Sequence, residues 1–185
     1  MPWSEPELTP IESTGFFTVY PHGEILQVVE YKYYEETGYY QRVLEDKGLL
    51  AREKRLLHRG MENILRGERI LINGQQASWN VLQPDIVLLE PNRPVIIFHV
   101  SISFNVKDGR NIYEEYYEEA EAEYNYEAYW YLPMCMHVLK VEASGETGVS
   151  DDDRLVVIKV SKGEHVEGYE SLLFENKCKL SSNSA

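Results

Sequence analysis

Residues 84–101 constrain the fold more than any other stretch of the chain. Pro84-Asp85-Ile86-Val87-Leu88-Leu89-Glu90 and Val95-Ile96-Ile97-Phe98-His99-Val100-Ser101 are β-branched, apolar runs on either side of Pro91-Asn92-Arg93-Pro94. Runs of that length bounded by proline and asparagine read as two strands joined by a tight connection. Further hairpin signals stand upstream. Phe16 to Tyr20 and Glu24 to Tyr34 flank Pro21-His22-Gly23, and Asn73-Gly74 follows the short apolar run Arg69 to Ile72.

Between these hairpins the period changes. Leu49, Leu50, Leu56, Leu57, Met61, Ile64 and Leu65 recur at three-to-four spacing within residues 39–66, which predicts a long amphipathic helix broken or kinked at Gly48 and capped at Gly67. Residues 111–132 satisfy two periods. Tyr113, Tyr116, Tyr117, Ala120 and Tyr124 fit one helix face, whereas Ala120 to Trp130 alternates as a strand does; a helical or irregular first part followed by a strand is expected. Met134 to Val141 and Leu155 to Val160 read as strands, Ser144 to Arg154 as a polar loop, and Glu170 to Phe174 as a last edge strand. The expected architecture is α+β: a mainly antiparallel sheet with one long amphipathic helix packed against it. Residues 1–14 are expected to be a flexible arm, 15–176 a single domain and 177–185 a flexible tail. A chain of 185 residues can bury roughly 70% of its unfolded surface, enough for a core without a staple.

Charge narrows the function classes. A net charge of −13 repels phosphate backbones and argues against general nucleic-acid affinity. The charge is also segregated. Lys47, Arg52, Lys54, Arg55, Arg59, Arg66 and Arg69 crowd one segment, while Glu114, Glu115, Glu118, Glu119, Glu121, Glu123 and Glu127 fill another that holds no base. Such blocks either screen one another in the fold or support head-to-tail association or a basic partner.

Cys135 and Cys178 are the only cysteines, too few and too far apart for a disulfide framework or a zinc site. Two separate thiols are expected, with one disulfide as the alternative in an exported chain. The opening Met1-Pro2-Trp3-Ser4-Glu5-Pro6 is unlike a secretory leader, and no apolar run approaches the roughly 20 residues that cross a bilayer. The expectation is a soluble, cytoplasmic protein with no membrane span.

The order helix, strand, strand, strand, a second helical segment and a strand, with Pro84-Asp85 opening a hairpin, resembles the core of the PD-(D/E)XK nuclease superfamily and also the viral cap-snatching endonucleases. The resemblance covers roughly residues 50–142. It implies metal-assisted phosphodiester hydrolysis, with Asp85 as the first acid, Glu62 or Glu53 as the helix acid and His58 as a helix ligand, around Mn²⁺ or Mg²⁺. His58 and Glu62, four apart, share a helix face. The chain departs from the pattern where the second acid and the lysine belong, at Ile97, Phe98, His99 and Ser101. With His99 as a ligand the site would be biased towards Mn²⁺ or Zn²⁺, or abolished. The motif is therefore degenerate, and the alternative catalytic set is Asp85, Glu62 and His99.

Fourteen tyrosines form the other distinctive feature. One cluster holds Tyr31, Tyr33, Tyr34, Tyr39 and Tyr40; the second runs from Tyr113 to Tyr131. Tyrosine offers contact area at low entropy cost together with a hydroxyl, which suits recognition surfaces. The expected function is a non-catalytic protein-interaction or self-assembly domain, with Tyr113, Tyr116, Tyr117, Tyr124, Tyr126, Glu118 and Glu121 as its face. The degenerate metal-dependent nuclease is the alternative. No cofactor is required by the first reading.

Overall fold

The structure is a computed structural model that describes residues 7–178. The strands are β1 (Thr9–Tyr20), β2 (Glu24–Tyr34), β3 (Arg69–Ile72), β4 (Gln75–Gln76), β5 (Ser78–Val81), β6 (Asp85–Glu90), β7 (Arg93–Ser103), β8 (Gly109–Tyr116), β9 (Ala120–Glu121), β10 (Asn125–Tyr131), β11 (Met136–Glu142), β12 (Glu146–Val149), β13 (Leu155–Val160), β14 (His165–Val166) and β15 (Tyr169–Asn176). The helices are α1 (Tyr39–Glu45) and α2 (Lys47–Gly67).

Strand accounts for 55% of the structure and helix for 16%, which overturns the expected α+β arrangement of one sheet with a long helix packed on it. Eight strands form the larger sheet in the order β12-β13-β10-β1-β2-β7-β5, with β6 beside β5 on the same edge of β7; five form the smaller, β11-β15-β8-β3-β4. β9 and β14 make a separate two-stranded ladder. Every pairing is antiparallel except β1 with β10, which run parallel from Glu12↔Asn125 to Thr18↔Tyr131.

The predicted hairpins form. β1 and β2 join through Pro21–Gly23, β6 and β7 through Pro91 and Asn92, and β3 and β4 through Asn73-Gly74. Alternation sets the faces: along β1, Ser13, Gly15, Phe17 and Val19 are buried, and along β7, Phe98, Val100 and Ile102 are buried while Ile97, His99 and Ser101 face the other way. Phe17 stacks on Trp130, with ring centres 4.3 Å apart, and Trp130 meets the edge of Tyr113 at 4.8 Å, so these three rings join the two sheets in one core.

Several expectations are corrected. The helical segment divides at Asp46 and not at Gly48, because the Asp46 carboxylate accepts from the backbone N–H groups of Gly48 (2.7 Å) and Leu49 (3.1 Å) and so starts a new helix. α2 then runs through Gly67 to an extended Glu68. Its apolar stripe is only partly covered: Met61 and Leu65 are buried, whereas Leu49, Leu56 and Ile64 are exposed. The glutamate-rich start of residues 111–132 is strand, because β8 pairs with β3 on one side and β15 on the other, and two full ladders outweigh the helix preference of Glu and Ala. The Ser144 to Arg154 loop contains β12, an edge strand on β13. β15 is no edge strand, since it lies between β11 and β8. Residues 9–14 of the expected arm belong to β1; residues 1–6 of the arm and 179–185 of the tail lie outside the described residues. Cys135 and Cys178 are not separate thiols: they form a disulfide, with Cα atoms 4.9 Å apart, that ties the start of β11 to the end of β15. No helix among the described residues is long and apolar enough to cross a membrane.

Candidate functional site

The first tyrosine cluster converges on a buried carboxylate. Glu35, 1% exposed, accepts from the Thr37 backbone N–H and hydroxyl, both at 2.8 Å, and from the Tyr40 backbone N–H at 3.3 Å. These bonds fix the entry into α1. Across the α1–α2 junction, the Tyr39 hydroxyl donates to Glu53 Oε2 at 2.8 Å and the Tyr40 hydroxyl to Glu53 Oε1 at 3.0 Å. The two rings meet edge to face, 5.2 Å apart. Glu53 is 9% exposed.

Tyr31 and Tyr33, two residues apart on β2 and hence on one face, stack at 6.3 Å, and Phe98 packs edge-on against Tyr31 at 5.9 Å. Together with Tyr124, Leu57 and Met61, these side chains and Glu53 enclose a cavity of about 510 Å³. That volume falls in the range of small-ligand sites. Burial pushes the Tyr33 hydroxyl up to about 12 and raises the Tyr31 hydroxyl as well. The Tyr40 hydroxyl is raised by burial and then by the Glu53 charge. All three therefore remain protonated donors at neutral pH.

Further carboxylates lie close by. Glu115 and Glu170 are register partners across β8 and β15, and Tyr113 donates its hydroxyl to Glu115 Oε2 at 2.5 Å. Burial pushes Glu68 up to about 8, helped by the Glu115 charge. Glu115 and Glu170 are raised as well, by burial first. No ion pair reaches any of the three among the described residues. The Tyr31 hydroxyl is raised by burial first, then by Tyr124 and Tyr33, with smaller contributions from Glu68 and Glu115.

Asp85 sits elsewhere, at the start of β6. It accepts from Lys54 Nζ at 2.9 Å, and its other oxygen lies 3.5 Å from His99 Nε2. Lys54, which the sequence placed only in the basic block and not at a site, holds the Asp85 carboxyl below its usual range, with a smaller contribution from His99. The remaining residues of the metal reading are engaged apart from it: His58 Nε2 bonds the Val81 carbonyl at 3.0 Å, and Glu62 pairs with Arg66 at 3.3 Å. Among the described residues, no three His, Cys, Asp or Glu side chains are grouped to hold a metal ion.

The expected tyrosine face divides. Tyr113 is 1% exposed and belongs to the core. Tyr116 is exposed and lies 4.9 Å from the Tyr169 ring, with the Arg69 guanidinium 5.6 Å from its own ring centre. Tyr117 and Tyr126 are half-buried towards Glu170, Tyr124 lines the cavity, and Glu118 and Glu121 are exposed.

No family model matches the chain, and no curated protein matches it. Among solved structures it is similar to an M1 zinc metallopeptidase from Deinococcus radiodurans, at 10% identity and a TM-score of 0.39 over 91% of this chain and 42% of that one. It is similar to a putative protease from Parabacteroides distasonis at 8% identity and 0.35, over 89% and 39%. It is similar to AChBP from Bulinus truncatus at 9% identity and 0.28, over 96% and 92%. The chain thus spans about two-fifths of the length of the first two, at 42% and 39%. At these TM-scores none of the three carries a fold or an activity to this chain.

Proposed function

We propose that the chain is a non-catalytic binding module whose tyrosine-lined cavity takes the cationic side chain, Lys or Arg, of a protein partner. The observation that carries this reading is Glu53. Its carboxylate is 9% exposed and lines the cavity, its hydrogen bonds come from two tyrosine hydroxyls, and no ion pair reaches it among the described residues. A buried carboxylate is normally paired with positive charge or driven towards neutrality. A guest ammonium or guanidinium supplies that charge, and Tyr31, Tyr33 and Tyr124 line the cavity with aromatic rings, a kind of group that attracts cations.

Calorimetric titration with a lysine-containing peptide and with its norleucine counterpart tests the reading. Saturable binding of the lysine peptide alone is expected. Equal binding of both, or of neither, overturns it.

A second reading, the divalent-metal nuclease, draws on one observation, the adjacency of Asp85 and His99. A rise in melting temperature with Mn²⁺ that disappears in Asp85→Ala supports it, and an unchanged melt counts against it. As to compartment, the Cys135–Cys178 bridge favours an oxidising environment over the reducing cytoplasm.

A further inference from the structure

We infer that copies of this chain associate head to tail, the outer face of α2 on one copy receiving the acidic segment around Glu118–Glu123 of the next. Its charged residues, Arg55, Arg59, Glu118 and Glu121, lie outside the cavity of the binding proposal, although Leu56 and Ile64 line that cavity as well.

The donor surface is a helix face left uncovered. Leu49, Leu56 and Ile64 are 37%, 43% and 54% exposed, and their spacing puts them on one stripe of α2. Basic residues flank the stripe. Within residues 47–67 the chain carries Lys47, Arg52, Lys54, Arg55, Arg59 and Arg66 against Glu53 and Glu62, a net of 6 − 2 = +4. The rest of the chain therefore carries −13 − 4 = −17. Arg55 and Arg59, four residues apart, line a cleft of about 430 Å³ with His58, Gln83 and Pro84, and neither arginine meets a carboxylate among the described residues. Lys54, on the same wall, is already neutralised by Asp85.

The acceptor surface is the connection from β8 to β10. Of the seven acids between residues 114 and 127, Glu114 is tied to Tyr116 and Tyr169, Glu115 lies in the acidic group by Tyr113, and Glu127 is held by Tyr129 and Lys159. Glu118, Glu119, Glu121 and Glu123 are exposed, and among the described residues only Glu119 has an ion-pair partner, His165 at 3.9 Å. Exposed Tyr116 leads into this segment and supplies apolar area to match the leucine stripe.

No ion pair among the described residues joins the basic segment to the acidic one, so the two do not neutralise each other by direct contact within one copy. A net charge of −13 makes most approaches between copies repulsive. The α2 face is the concentrated exception, and it selects the orientation. Two different patches meeting in this way form a heterologous contact, which builds open chains or rings.

Sedimentation of the full chain tests the inference at about 0.05 M and about 0.5 M salt, where the screening length falls from roughly 14 Å to roughly 4 Å. The expected result is a mass that grows with protein concentration at the lower salt and returns to monomer at the higher. The pairs Arg55→Glu/Arg59→Glu and Glu118→Lys/Glu121→Lys should each weaken association at least about tenfold, and an equimolar mixture of the two variants should restore it, because opposite charges then face each other again. All four positions are exposed, so circular dichroism of each variant is expected to match the wild type. A wild type that stays monomeric at low salt up to about 1 mM overturns the inference. So does association that survives both charge reversals.

Discussion

The hydroxyl of Tyr40 donates to Glu53 Oε1 at 3.0 Å, joining the first turn of α1 to the second turn of α2 around a carboxylate that is 9% exposed. This bond serves stability as well as the site. In Tyr40→Phe the carboxylate keeps Tyr39 alone as a donor. A lost hydrogen bond to a charged group of this kind costs about 1.5–3 kcal/mol. Urea unfolding should show the midpoint of Tyr40→Phe falling with an unchanged slope, and a midpoint equal to the wild type would mean that Glu53 is satisfied without it.

The acidic group makes stability fall as pH rises. Burial pushes the Glu68 carboxyl from its ordinary 4.5 up to about 8 in the folded chain, and Glu115 and Glu170 shift in the same direction. Below pH 4.5 both states hold these protons. Between 4.5 and about 8 the unfolded chain releases protons that the folded chain retains, so their contribution is lost through that window and is gone above about 8. Melting temperature should decline from about pH 5 to about pH 8.5, and Glu68→Gln should flatten the decline. A wild-type profile with no decline would contradict the burial of these carboxyls.

Gly145 and Gly74 separate backbone strain from crowding. Both have positive φ, +79° and +75°, but a Cβ on Gly145 would lie 2.2 Å from the Lys159 carbonyl oxygen, whereas one on Gly74 meets nothing within 4 Å. Gly74→Ala should cost the left-handed penalty of about 1–2 kcal/mol. Gly145→Ala should cost clearly more and loosen β12 from β13. Equal losses in the two variants would show that the β12 edge yields freely.

The Cys135–Cys178 bridge closes a loop with a sequence separation of 43 residues. Chain-entropy arguments put the stabilisation at about 4 kcal/mol. Reduction, or Cys135→Ser with Cys178→Ser, should lower the unfolding free energy by an amount of that order. A change under about 1 kcal/mol would show that β11 and β15 hold each other without the bridge.

Local signals carried the hairpins well. Pro21-His22-Gly23, Asn73-Gly74 and the turn before Arg93 all act within a few residues, so their chemistry is written in the adjacent sequence. Non-local pairing has no such local code. Glu114 and Glu115 favour helix in isolation, and only the neighbours β3 and β15, which come from distant parts of the chain, hold them in a strand. The parallel pairing of Phe17 with Trp130 and the Cys135–Cys178 bridge likewise have no local signature. The site was legible in part. The dense run Tyr31 to Tyr40 supplies four of the tyrosines that line the cavity, but the approach of Tyr39 and Tyr40 to Glu53 depends on the break at Asp46, a capping event that the more conspicuous Gly48 obscured. Asp85 and His99 do come together, yet the residue that holds Asp85 is Lys54 from the helix, and His58 and Glu62 have other partners.

The most direct test of the account is the affinity of the lysine peptide for the wild type and for Glu53→Gln, a change that keeps the shape of the side chain and removes its charge. With melting temperatures of both proteins as a check on folding, the account predicts a loss of about 10- to 100-fold in Glu53→Gln, the worth of one charge-assisted hydrogen bond. Unchanged affinity in a folded Glu53→Gln would contradict it, because the cation would then be held by something other than the buried carboxylate.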